Sequence, residues 1–375
     1  MTSLVNELRE YLSRTHAYAW ALATAAGKTP DEPAIVHAFL SDEMWPVLQG
    51  ILRGKVVSNT QVVVRGIFTH QTPYVREVGA PRACEIADLM LVRMHLPSNP
   101  RQQASGKALL LQAKHKPKPT TEPLTDAGDV AQLQLYRDWN KFHGTSRLPT
   151  APSDGMHSTA WNFQDPHGAY WRQTSQYLTV VKGEVYTLDD PTTPASCGVS
   201  SGPDHARLNT HHWPNGSPWT NGAILSTATA AAGVDCLDDF AATLHDFVMS
   251  MVGRNFDVGL VGATNHWSIF VAEMLEIAGM KNYKFGKKKL TRSNALSAFS
   301  TVLPMIAAQE AGDFVASNAA SGFDFSNAVL DLHRRVFLAN RDGQAPPFAD
   351  IESPYSPGHV PILLILTHGD ELVMG

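Results

Sequence analysis

Asp88, Gln112 and Lys114 are the residues whose types and spacing could do chemistry in this chain. Asp88 opens the apolar run Leu89-Met90-Leu91-Val92, and Gln112 and Lys114 close a second run, Ala108-Leu109-Leu110-Leu111. Residues two apart in an extended strand share a face, so Gln112 and Lys114 point the same way. If the two runs pair as a hairpin, an acid, an amide and an ammonium converge on one edge of a sheet, beside apolar walls. Burying such groups is costly unless they hold a metal or a charged substrate. Taken singly, Asp88 also reads as a strand cap and Lys114 as an exposed edge lysine.

The elements that must position these groups are legible around them. Pro97 to Gly106 is polar and turn-rich, suited to a hairpin connection at the surface. Downstream, Val130, Leu133 and Tyr136 keep a helical period, with Asp126 or Asp129 suited to the first turn. Gln132 and Tyr136 stand at i and i+4, on one face of that helix. The order is therefore Asp88, then Gln112-x-Lys114, then Gln132-x-x-x-Tyr136.

In that order and spacing the chain resembles the PD-(D/E)XK nuclease superfamily, specifically its RecB-like branch, over roughly residues 33 to 145. The segments Glu85 to Val92 and Leu110 to Lys114 also look like nuclease domains of bacterial phage-defence proteins. The resemblance implies an α/β fold with a restriction-endonuclease-like core, a mixed central sheet flanked by helices. It also implies phosphodiester hydrolysis with Mg²⁺ or Mn²⁺, which activates a water and clamps developing charge. Asp88 would be the main ligand. Gln112 stands where an Asp or Glu is usual and would add an amide oxygen, and the Ala113 carbonyl another donor. Lys114 would orient the attacking water and stabilise charge. Gln132 and Tyr136 complete the motif on its helix. The first helix of such folds often adds an acid, for which Glu43 is chosen over Asp42; Glu85 is a second candidate. Gln in place of an acid lowers the negative charge of the site, which favours one metal or a weakened enzyme.

Composition bounds these readings. The chain has 375 residues, 43% hydrophobic and 17% charged, enough for one large domain or two ordinary ones of a soluble globular protein. No apolar run approaches the roughly 18 residues that span a membrane. An amphipathic, acidic N-terminus and three cysteines (Cys84, Cys197, Cys236) without paired spacing point to a cytoplasmic protein without structural zinc. The net charge of −5 argues against a simple basic nucleic-acid binder. Two local basic patches run the other way: Lys116 and Lys118 beside Lys114, and Lys284, Lys287, Lys288 and Lys289 interleaved with Tyr283 and Phe285. The second patch reads equally as a solvated loop.

Along the chain, residues 3 to 25 read as a helix and 33 to 53 as a second one broken by Pro46. Thr60 to Phe68 reads as the first core strand. The Pro/Ser/Gly stretch from Leu148 to Gly155 is the candidate boundary between a nuclease core (1–150) and a C-terminal α/β region (151–375) completing or covering it. Beyond it, Gln176 to Val181 and Val360 to Thr367 read as strands, the latter buried. Leu237 to Met251, Trp267 to Ala278 and Phe325 to Arg341 read as helices. Residues 187 to 222 read as a long irregular connection.

Competing motifs are weaker. Gly198-Val199-Ser200-Ser201-Gly202 matches a nucleophile elbow, but the prolines around it deny the strand and helix that motif needs. His205, His211 and His212 lack the accompanying ligands of a zinc site. No phosphate-binding Gly-x-x-x-x-Gly-Lys loop occurs, so a sensor or ATPase function would sit on a partner. The expectation is a metal-dependent nuclease acting on DNA, with a role in antiviral defence. The alternative is a catalytically silent nuclease fold serving as a nucleic-acid-binding or interaction subunit. A hydrolase of small phosphoesters is a third reading, and a homo-oligomer is compatible with any of them.

Overall fold

A computed structural model describes residues 4–116 and 122–146 apart from short stretches, together with 148, 151, 160–164, 171–181, 219–222, 233–234, 238–258, 265–279 and 360–369. The chain begins with helices α1 (Leu4–Ala25), α2 (Glu32–Leu40) and α3 (Trp45–Arg53). Strands β1 (Gln61–Ile67), β2 (Tyr74–Glu77), β3 (Cys84–Glu85), β4 (Leu89–Pro97), β5 (Ser105–Lys116) and β6 (Glu122–Pro123) follow. Then come α4 (Ala127–Asp138), β7 (Phe142–Ser146), α5 (Trp171–Thr174), β8 (Ser175–Val181), β9 (Trp219–Gly222), β10 (Gly233–Val234) and β11 (Asp238–Asp239). The remaining described elements are α6 (Phe240–Val248), β12 (Arg254–Phe256), α7 (His266–Gly279) and β13 (Ile362–Gly369).

The fold is α/β, built on a mixed sheet in the order β1-β13-β4-β5-β8-β9-β11, with β12 on the first residues of β5. β13 runs parallel to β4 and β5 parallel to β8; β1–β13, β4–β5 and β8–β9 are antiparallel. β4 and β5 form the hairpin that the two apolar runs predict. Both strands reach further into the connection than the sequence suggests, because Leu96 stays buried and Gly106 pairs with Met94.

Both faces of the sheet are covered, which explains why its central strands are apolar without alternation. Leu89, Leu91, Leu109 and Leu111 face one cluster with α1, α2, α3 and α6. Met90, Val92 and Leu110 face the other, with α4 and α7. β13 lies between β1 and β4, which seats a strand nearly 300 residues distant beside the first strand of the sheet. Strands from both sides of Leu148–Gly155 thus share one sheet.

The break at Pro46 is real but sits earlier than the proline. α2 ends at Leu40, Ser41 caps it, and Pro46 occupies the first turn of α3, where its missing N–H costs nothing. Asp31 caps the start of α2 by accepting from the Ala34 N–H at 3.0 Å. Gly66 on β1 lets the last turn of α2 lie against the sheet, since any β-carbon there would strike the Leu40 carbonyl. The predicted helix at Phe325–Arg341 lies outside the described residues. Among the described residues no helix is long and apolar enough to cross a membrane.

Candidate functional site

Asp88 precedes β4 by one residue. Its N–H donates to the Leu111 carbonyl at 3.0 Å, continuing the β4–β5 register so that Asp88 stands opposite Gln112. Its Oδ2 accepts from the Ala113 N–H at 2.9 Å and from the Gln112 amide nitrogen. Gln112 is buried, and its Oε1 accepts from Gln132 Nε2, which also donates to the Glu85 carbonyl at 2.9 Å. Tyr136, one turn further along α4, donates to the Ile86 carbonyl at 2.7 Å. The two side chains of the Gln-x-x-x-Tyr face thus grip the segment that leads into Asp88.

Lys114 shares the Gln112 face of β5 and donates to Asp129 Oδ1 at 2.7 Å. Asp126 caps α4 through the Gly128 N–H at 3.0 Å, leaving Asp129 free to take the lysine. Beside them, Glu32 in the first turn of α2 accepts from the His115 N–H at 2.9 Å. Tyr74 stands across from Glu85 in the small sheet β3-β2-β7, where burial and the Glu85 charge both push its hydroxyl up.

The electrostatics identify Asp88 as the centre of the group. Burial pushes its carboxyl well above the usual carboxylate range, and the charges of Glu85 and Glu32 push the same way. Lys114 and the Ala113 N–H offset part of this. The charges of Glu85 and Glu32 thus act on Asp88 against that of Lys114.

Asp88, Gln112, Ala113, Lys114, Gln132 and Tyr136 come together, and Glu85 lies close enough to act on Asp88. Glu43 does not join them. It is exposed in the turn after α2, roughly 13 Å of helix away from Glu32. The acid that α2 does supply is Glu32. The helix-start signal Asp31-Glu32-Pro33 would have found it, because a capping residue followed by an acid and a proline marks the first turn. Asp129 was legible too, since it stands three residues before Gln132, on the same side of the helix. Lys116 closes β5 opposite Val181. Lys118, Lys284, Lys287, Lys288 and Lys289, the histidines 205, 211 and 212, and the Gly198–Gly202 motif lie outside the described residues.

Were a hard cation to bind here, the oxygen open to it would be Asp88 Oδ1. Both hydrogen bonds to the Asp88 carboxylate fall on Oδ2; among the described residues none falls on Oδ1. Mg²⁺ and Mn²⁺ accept oxygen of this kind and fill their remaining positions with water and substrate phosphate. Burial first, and then repulsion by Glu85 and Glu32, raise the Asp88 carboxyl, and a cation there would favour its ionised form. Gln112 offers its nitrogen to Asp88 and its oxygen to Gln132, so as placed it orients Asp88 instead of donating to a cation. Among the described residues no three His, Cys, Asp or Glu side chains are grouped as a metal centre. No family model matches the chain, and neither a curated protein nor a solved structure matches it.

Proposed function

We propose that the protein is a metal-dependent nuclease with its reaction centre at Asp88 and Lys114, built on a restriction-endonuclease-like core. The observation that carries this reading is the joining of three separate segments in one hydrogen-bonded chain: Asp88 to Gln112 to Gln132, with Lys114 on the same face. A purely structural hairpin has no need to gather an acid, two amides and an ammonium around a half-buried carboxylate. The order hairpin, α4, then β8 parallel to β5 also accords with the expected core.

Asp88 would hold the cation, with the Ala113 carbonyl as a further oxygen donor. The ion would supply Lewis acidity toward a phosphate oxygen and a water acidic enough to attack near neutral pH. The residues of the chain do the rest. Gln112 and the Ala113 N–H fix Asp88 Oδ2 in place. Lys114, held near the end of β5 by Asp129, presents its ammonium to the non-bridging oxygens as charge accumulates. DNA is the proposed substrate class, with antiviral defence as the setting.

The test is digestion of supercoiled plasmid and of single-stranded DNA by the full chain with Mg²⁺, Mn²⁺ or EDTA, beside Lys114→Ala. Metal-dependent cutting by the wild type that the variant loses, with DNA binding retained, establishes the reading. A wild type that binds DNA and cuts nothing favours the silent-fold reading instead. That second reading draws its support from the absence of a three-acid group among the described residues.

A further inference from the structure

The small sheet β3-β2-β7 keeps one face in solvent, and that face begins beside Asp88. Burial alternates along β2: Tyr74 and Arg76 are exposed, while Val75 between them is buried with Cys84 and Phe142 in the core. The alternation puts Tyr74 and Arg76 on the outer side. Residues directly opposite each other on paired strands share a face. The outer side therefore carries two rows, Glu85 with Tyr74 and then Arg76 with His143. β7 holds one extra residue, Thr145, where its register shifts beside Tyr74, and such bulges re-aim the side chains around them.

These groups have a direction. The charges of Glu85 and Asp88 both act on the Tyr74 hydroxyl, so the row of Glu85 and Tyr74 is the end that adjoins the proposed reaction centre. Arg76 and His143 stand one row further, roughly 7 Å along the strand. Tyr74, at 42%, is the one exposed Tyr, Trp or Phe among the described residues. The side chains of Arg76 and His143 are exposed and make no ion pair or hydrogen bond among the described residues. Glu77, next along β2, alternates to the other side and is taken by the Asn140 amide at 2.5 Å. An open aromatic ring beside an unpaired guanidinium is complementary to a nucleic-acid strand, whose bases stack on rings and whose phosphates meet cations.

We propose that this face carries the single strand whose cleaved bond lies at Asp88 and Lys114, with a base stacked on Tyr74 and a phosphate on Arg76, an inference that rests on the nuclease reading. One row of the sheet, about 7 Å, spans about two nucleotides at roughly 3.4 Å of rise each. Arg76 thus meets the backbone about two nucleotides away from the stacked base. Every base has a π-face, so the contact at Tyr74 holds the strand without reading its sequence.

The experiment measures binding in EDTA, where nothing is cut, by fluorescence anisotropy of labelled strands with the full chain. One strand is twelve thymidines; the other is twelve abasic units, which keeps the phosphates and removes the bases. Tyr74→Leu is expected to weaken the thymidine strand about five- to tenfold and the abasic strand less than twofold, as loss of one base stack requires. Tyr74→Phe keeps the ring and should bind both strands like wild type. Arg76→Ala should weaken both strands by a similar factor and reduce the salt slope by about 0.7, the value for one phosphate of a single strand. Unchanged thymidine-strand affinity in Tyr74→Leu, or equal losses for the two strands, overturns the proposal. So does an unchanged salt slope in Arg76→Ala. A face that serves a protein partner instead would leave strand binding unmoved by either variant. Cleavage by the wild type with Mg²⁺ or Mn²⁺ is read separately. Cutting intact without an effect of Tyr74 or Arg76 on binding sinks this face alone, and the expected losses in a protein that never cuts sink the nuclease reading.

Discussion

Gln132 on α4 donates its amide N–H to Gln112 Oε1 on β5, and this one bond decides which way the Gln112 amide faces. With its oxygen taken, Gln112 has only its nitrogen to offer Asp88, and that nitrogen meets Oδ2. Both glutamines are buried, so neither can exchange these partners for water.

Gln132→Leu should therefore damage stability and activity together. It strands the Glu85 carbonyl and Gln112 Oε1, and leaving buried polar groups unsatisfied costs about 1–3 kcal/mol each. Urea unfolding should show a lower midpoint with an unchanged slope. Gln132→Glu should be worse at neutral pH than at pH 5, because its carboxylate would face the Gln112 oxygen and the Glu85 carbonyl. A variant as stable as wild type would mean that the glutamine chain does not order this site.

Gln112→Glu introduces the acid that the proposed nuclease pattern carries at this position. Without a cation the new charge lies against Asp88 and removes the amide that now donates to it. Thermal unfolding in EDTA should accordingly show a lower Tm than wild type. Added Mg²⁺ or Mn²⁺ should raise the Tm of the variant more than that of the wild type, since ligands that bind only the folded state stabilise it by mass action. Equal shifts for the two proteins would show that position 112 does not face a cation.

Much of this arrangement is legible in the sequence because it follows short-range rules. Alternation puts Gln112 and Lys114 on one face, and helical spacing puts Gln132 above Tyr136; both hold in the fold. The hairpin follows from two apolar runs around a turn-rich connection. The apolar run of Ile362 to Leu366 marks a buried strand, but its seat between β1 and β4 depends on a contact across nearly 300 residues that no local pattern encodes. The choice between the acids of α2 and its following turn is likewise non-local. Glu43 and Glu32 flank the same helix, and only packing against β5 decides which end reaches His115.

The ion pair of Lys114 with Asp129 separates positioning from catalysis. The two side chains are 14% and 28% exposed, so a double-mutant cycle on stability should give a coupling of no more than about 1 kcal/mol. The effect on rate should be far larger for the lysine. Lys114→Ala is expected to lower kcat about 10²–10³-fold, the range for removing a group that stabilises developing charge, with DNA affinity within a few-fold. Asp129→Asn should cost about tenfold or less, because the ammonium survives and only its tether weakens. Equal losses in the two variants would place the function in the pair and not in Lys114.

Buried His16 and half-buried Asp88 give stability opposite dependences on pH. His16, whose Nε2 accepts from Trp20 Nε1 at 3.1 Å, is driven down to about 3 by burial, with the charge of His115 adding to the effect. The unfolded chain binds the proton first, so stability is present above the ordinary histidine range and falls as pH drops from 6.5 toward 3. The slope is at most about 1.4 kcal/mol per pH unit. Asp88 acts in the reverse sense. Its folded carboxyl holds a proton at pH values where the unfolded one has lost it, so in EDTA its contribution diminishes as pH rises above the ordinary carboxylate value of 3.8. Asp88→Asn keeps the shape and removes the charge. Its stability relative to wild type should therefore improve from pH 4 to pH 8 in chemical denaturation, while cleavage is abolished. Adding Mg²⁺ to the wild type at pH 8 should recover part of that difference, since a cation favours the ionised carboxylate. A wild-type-minus-variant difference that stays flat across the range would show that Asp88 ionises freely in the folded protein.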